Sequence, residues 1–72
     1  MMLMAVKNRL RYWRQLMKMT QGEFADYLGF TQSNISHWEK ERSLSPDNAL
    51  KIMKKLREVF PEIHMEDLYE EI

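Results

Sequence analysis

Between Met19 and Lys40 the apolar residues fall at spacings that fit two short helices. Phe24, Ala25 and Leu28 stand at i, i+1 and i+4, on one helical face. Thr20 precedes them and Glu23 stands three residues on, the pattern of a capping box. Gly29 follows Leu28 directly. Glycine takes φ > 0 without strain, so it stops a helix and turns the chain. Phe30 is apolar and points back to the core. Thr31 offers a second N-cap, and Ile35 and Trp38 supply the next apolar stripe at i and i+3. Upstream, Leu10, Trp13 and Met17 predict a helix from about Ala5 to Lys18. Downstream, Ser45-Pro46 reads as an N-cap followed by proline at the first helical position. That helix presents Ala49, Leu50, Met53, Leu56 and Phe60 at helical spacing and stops before Pro61. A last helix is expected over Met65 to Glu71, with Leu68 inward and Tyr69 and Ile72 outward. The fold class is therefore read as all-α, a compact bundle of five helices. There is no repeat and no linker, so residues 1–72 read as a single domain.

The helix after Thr31 has a face that packing does not require. At 100° per residue, Gln32, Ser33, Ser36, His37 and Lys40 share one arc of about 140°, and Ile35 and Trp38 lie opposite. The arc begins at the helix N-terminus, where free N–H groups and the positive dipole end attract a phosphate. Glutamine can pair bidentately with adenine, and serine can donate to or accept from several base edges. Lys40 is long and charged, suited to a phosphate. A solvated helix face is the plainer reading of such an arc. Two capped helices joined by a short glycine-containing connection favour the DNA-groove reading instead.

A set of residues now stands together: Arg9-Leu10-Arg11, Arg14, Met19-Thr20-Gln21, Phe24-Ala25, Leu28-Gly29-Phe30, Thr31-Gln32-Ser33, Ile35-Ser36 and Trp38-Glu39. With them, Arg9 to Pro46 resembles the Xre-type helix-turn-helix family, which includes phage repressors and Cro proteins. The resemblance runs on more loosely to Tyr69. It implies the lambda-repressor-like DNA-binding fold, with the helix 32–40 in the major groove. It further implies that Gln32 and Ser33 contact bases and that His37 matches a base- or phosphate-contacting position. His37 and Ser36, on the same polar arc, are expected to contact bases too. Gln21, Thr31, Lys40 and Arg42 are the implied phosphate contacts, and Gln21 also braces the recognition helix. Arg14 and Glu39 match a pair that forms an internal salt bridge. Three positions depart from the family pattern. Gly22 replaces a helix-favouring residue, Glu41 stands where glycine is common, and His37 stands where arginine, glutamine or a small residue is usual.

Composition narrows the class. Seventy-two residues sit near the size at which a core becomes marginal, and no cysteine is present to supplement it with a disulfide or a thiolate metal site. No apolar run is long enough to span a membrane, and Met1–Met4 is too short for a signal-peptide core. A cytoplasmic location is expected. Formal net charge is zero, but its distribution is uneven. Residues 1–57 hold all 11 Lys and Arg and 5 Asp and Glu, a net +6, whereas residues 58–72 hold 6 acids and no Lys or Arg. The basic stretch suits nucleic acid, and the acidic one reads as a solvated surface.

Catalysis finds no support. His37 and His64 are isolated, with no second histidine or cysteine at metal-ligand spacing. The acids Glu66, Asp67, Glu70 and Glu71 read as an exposed face, and no cofactor is implied. The expected function is sequence-specific binding of double-stranded DNA by a prokaryotic or phage transcriptional regulator. The alternatives are an antitoxin, which binds DNA and a toxin, and an interaction module that has lost DNA binding. A homodimer is expected on a two-fold related site. Phe60, Ile63, Leu68, Tyr69 and Ile72 exceed what the last helix needs to dock, and are expected to form the dimer contact.

Overall fold

The structure is a computed structural model that describes residues 6–41 and 43–71. Strand β1 (Val6–Asn8) is followed by helices α1 (Leu10–Leu16), α2 (Gln21–Leu28), α3 (Gln32–Lys40) and α4 (Pro46–Val59). A 3₁₀ turn over Met65–Leu68 leads into β2 (Tyr69–Glu71), antiparallel to β1. The described chain is thus mostly helical, with four α-helices and a two-stranded sheet in place of five helices.

Both corrections have physical causes. The first helix begins at Leu10, not at Ala5, which lies outside the described residues. The Asn8 side-chain oxygen accepts from the Leu10 N–H at 3.2 Å, so the chain turns from strand to helix there. The same helix ends at Leu16, short of Lys18. Lys18 takes φ 58°, and the Lys18 and Met19 N–H groups reach back to the carbonyls of Gln15 and Arg14 at 3.0 and 3.1 Å. At the other end, a helix over Met65–Glu71 would set Glu66 against Glu70 and Asp67 against Glu71, like charges one turn apart. The strand instead places Glu70 opposite Lys7, with Nζ to Oε1 at 3.7 Å.

The middle helices follow their sequence signals. Thr20 and Glu23 form the capping box in both directions, and Gly29 turns the chain with φ 84°. The Ser45 hydroxyl oxygen accepts from the Asn48 N–H, Pro46 occupies the first turn, and α4 stops at Val59. Its inner face is Ala49, Ile52, Met53 and Leu56, at i, i+3, i+4 and i+7. Leu50, expected inward, is 56% exposed.

Leu10, Phe24, Ile35, Ile52, Met53, Leu56 and Leu68 are fully buried at the centre. Phe30 meets Trp38 edge-on at 4.8 Å between ring centroids, so the turn residue is tied to α3. Trp13 packs on Phe60 at 5.1 Å, and its indole N–H donates to the Asp67 carbonyl at 3.0 Å. These contacts correct the expected dimer patch. Ile63 and Leu68 are buried, and Phe60 and Tyr69 pack half-buried against the same core. Ile72 lies outside the described residues. The acidic segment after α4 therefore completes this chain's own core. No helix among the described residues is long and apolar enough to cross a membrane.

Candidate nucleic-acid interface

Helix α3 is held at both ends and along its inner side, leaving its polar arc open. At its start the Thr31 hydroxyl oxygen accepts from the Asn34 N–H at 3.2 Å. The hydroxyl proton stays free to donate outward. Ile35 is fully buried and Trp38 packs on the core, which fixes the rotation of the helix about its axis. At its end, the Asn8 side-chain amide donates to the carbonyls of Trp38 and Glu41 at 2.9 and 3.0 Å. Those carbonyls belong to the last turn, where intrahelical partners run out.

An ion pair clamps the side of α3 that faces α1. Arg14 Nε and Nη2 donate to the two oxygens of Glu39 at 2.6 and 3.1 Å. The side chains are only 14% and 6% exposed. Arg14 Nη1 also donates to the Met19 carbonyl at 3.0 Å, which joins the end of the α1–α2 turn to the pair. Gln21 completes the cluster. Its Nε2 donates to Glu39 Oε1 at 3.3 Å, bringing the first turn of α2 against α3.

The open arc forms a shallow concavity of about 460 Å³ lined by Gln21, Gln32, Ser33, Ser36, His37 and Lys40. The fold thus gathers six of the sequence-selected residues on one surface. Gln32, Ser33, His37 and Lys40 are exposed, and Gln21 and Ser36 are half-buried. Thr31 stands just before this group as the helix cap. Arg42 lies outside the described residues. His37 Nε2 stands 3.4 Å from Glu41 Oε1, one turn on, with both side chains well exposed. That pair carries charge on both partners only when the imidazole is protonated, and Glu41 sets an acid at the end of the arc. The surface offers amide, hydroxyl, imidazole and ammonium groups in a row along one helix.

The sequence hides one feature and shows only part of another. Asn8 was placed inside the first helix, although an asparagine just before an apolar helical run is itself a helix-start signal. Its second role, capping α3 from 30 residues away in sequence, has no local signal. The other is Gly22, whose α-carbon faces the Gln32 side chain across the two helices.

A scan against protein-family models matches helix-turn-helix over residues 10–59, more than two thirds of the chain. Searches of curated proteins and of solved structures find no match.

Proposed function

The chain belongs to the Xre/Cro-like helix-turn-helix family, and on that premise we propose that α3 reads base pairs in the major groove of double-stranded DNA. The family is one of DNA-binding regulators, not of enzymes. The single observation that carries the finer reading is the open polar concavity along α3, whose residues, apart from Gln21 with its bond to Glu39, are not used to hold the fold together. Gln32 and Ser33 sit on the first turn of α3 and are assigned to base edges, with Ser36 and His37 one turn on. Gln21, Thr31 and Lys40 flank them and are assigned to phosphates, as is Arg42. The Arg14–Glu39 pair sets the angle between α1 and α3 and does not itself touch DNA.

The role we infer is that of a prokaryotic or phage transcriptional regulator in which residues 1–72 act as one domain. Packing of Ile63 and Leu68 into the helix-turn-helix core supports that unit. One recognition helix touches too few base pairs to define a unique address in a genome. A homodimer on half-sites about one helical turn apart resolves this. With Phe60, Ile63 and Leu68 taken up by the core, we assign the dimer contact to a neighbouring surface that keeps only the half-buried Tyr69 of the expected patch. It is an apolar groove of about 350 Å³ between the start of α4 and the 3₁₀ turn, lined by Leu44, Pro46, Leu50, Met65 and Tyr69 among others.

Gel shifts with a selected duplex and a scrambled one, at two salt concentrations, test the reading. Tight binding of the selected duplex that survives added salt better than binding of the scrambled one supports it. Equal binding of both duplexes overturns base reading, and no binding at either salt overturns DNA binding itself.

A further inference from the structure

Gly22 occupies the second position of α2, an ordinary helical site. Among the described residues only Lys18 and Gly29 have positive φ, so the backbone at Gly22 does not require glycine. Glycine is also among the poorest residues in a helix, so its presence there works against α2. What the position does provide is space. A Cβ built on Gly22 would stand 3.3 Å from Gln32 Oε1 and 3.9 Å from Gln32 Cδ. The nearest other atom is Thr20 Oγ1 at 3.9 Å. The first of these distances is tighter than an ordinary van der Waals contact, so the Gln32 amide would have to give way by a few tenths of an ångström.

We infer that Gly22 is a specificity-determining positioning residue, whose missing side chain leaves the gap in which the Gln32 amide is seated for base reading. This rests on the reading of Gln32 as a base contact. A bidentate pair needs the amide oxygen and nitrogen both at hydrogen-bond distance and in the plane of the base. Displacing the oxygen turns the amide about its terminal bond and shifts one partner more than the other. A methyl group at position 22 therefore favours a different orientation of Gln32, and with it a different base. Gly22 touches no DNA in this scheme. It acts through the side chain that does.

The inference makes two predictions of opposite sign for Gly22→Ala. Alanine is the better helix former, so the full chain should melt at a higher temperature. The same variant should bind the wild-type-selected duplex about fivefold or more weaker, and should change base preference only at the pair assigned to Gln32. The test measures thermal midpoints and duplex affinities for wild type, Gly22→Ala, Gln32→Ala and the double variant. With Gln32 already truncated, Gly22→Ala should leave affinity unchanged. The same loss in both backgrounds would overturn the inference, because Gly22 would then act on the fold or on the DNA backbone directly. Wild-type affinity and preference in Gly22→Ala, alongside altered preference in Gln32→Ala, would also overturn it and leave the Gln32 reading intact. Wild-type behaviour of Gln32→Ala itself would overturn the Gln32 reading, and this inference with it.

Discussion

Asn8 makes the sharpest prediction about how the recognition helix is held. It is 6% exposed and serves three backbone groups at once. Its oxygen accepts from the Leu10 N–H, and its amide donates to the Trp38 and Glu41 carbonyls. Asn8→Ala removes all three bonds. The Trp38 carbonyl keeps a contact from the Glu41 N–H at 3.2 Å, so the groups left without a partner are the Leu10 N–H and the Glu41 carbonyl. An unsatisfied buried polar group costs roughly 1–3 kcal/mol; the Leu10 N–H is buried and bears that cost, whereas the part-buried Glu41 carbonyl recovers some of it from water. The expected loss is about 2–4 kcal/mol. A domain of this length holds about 4–11 kcal/mol in total, so the loss is a large fraction of its stability. The thermal midpoint should fall by roughly 10–25 °C. Asn8→Asp adds a second, pH-dependent readout. It keeps the acceptor for Leu10 but turns a carboxylate oxygen toward two carbonyl oxygens at the negative end of α3. Those neighbours disfavour the charged form, so the folded-state pKa of the new carboxyl should lie above its unfolded value. The stability of this variant should therefore rise as pH falls through that folded-state pKa, because the folded state binds the proton more tightly. Urea unfolding followed by helical circular dichroism, at pH 7 and at pH 4, measures both effects against wild type. Unfolding of Asn8→Ala within about 0.5 kcal/mol of wild type would refute the argument, because surface changes alone reach that size.

Three further predictions follow from other contacts. Truncating either member of the Arg14–Glu39 pair should cost about 3–5 kcal/mol, because the remaining charge is left buried; a double-mutant cycle on Arg14→Met and Glu39→Met with zero coupling energy would contradict the pair's role. Lys18 holds a left-handed backbone conformation that strains a side chain, so Lys18→Gly should stabilise the chain by roughly 0.5–1 kcal/mol in the same unfolding assay, and a loss of stability there would count against it. Lys40→Gln should weaken selected and scrambled duplexes by the same factor and reduce the salt slope by about one contact, whereas a sequence-selective loss would remove Lys40 from the phosphate group.

The middle of the chain was legible because its signals are local. A capping box at Thr20–Glu23, a glycine turn at Gly29 and a Ser-Pro start at Ser45–Pro46 each depend on residues within four positions of one another. The two ends were misread because their structure is settled by partners far away in sequence. Val6–Asn8 is a strand only because Tyr69–Glu71 comes back to pair with it, and neither segment carries a strong pattern of its own. Within α4, Leu50 and Ile52 are equally apolar. The choice of Ile52 for the core follows from the i, i+3, i+4, i+7 run through Ala49, Met53 and Leu56, which a reading that admits Leu50 breaks. The polar arc of α3 could be read from periodicity alone. The supports that orient it could not, since Asn8, Arg14 and Gln21 reach α3 from separate elements across sequence gaps of 18 to 33 residues.

The central claim is that the face of α3 carrying Gln32 and Ser33 selects a DNA sequence. Enrichment from a pool of randomised duplexes, run in parallel with wild type and Gln32→Ala, tests it most directly. The account predicts that wild type enriches a two-fold related motif. It predicts that Gln32→Ala enriches the same motif with one base pair per half-site relaxed, at a cost of about 1–3 kcal/mol for the wild-type site. A pool that stays random under wild type, or an identical motif from both proteins, would contradict it.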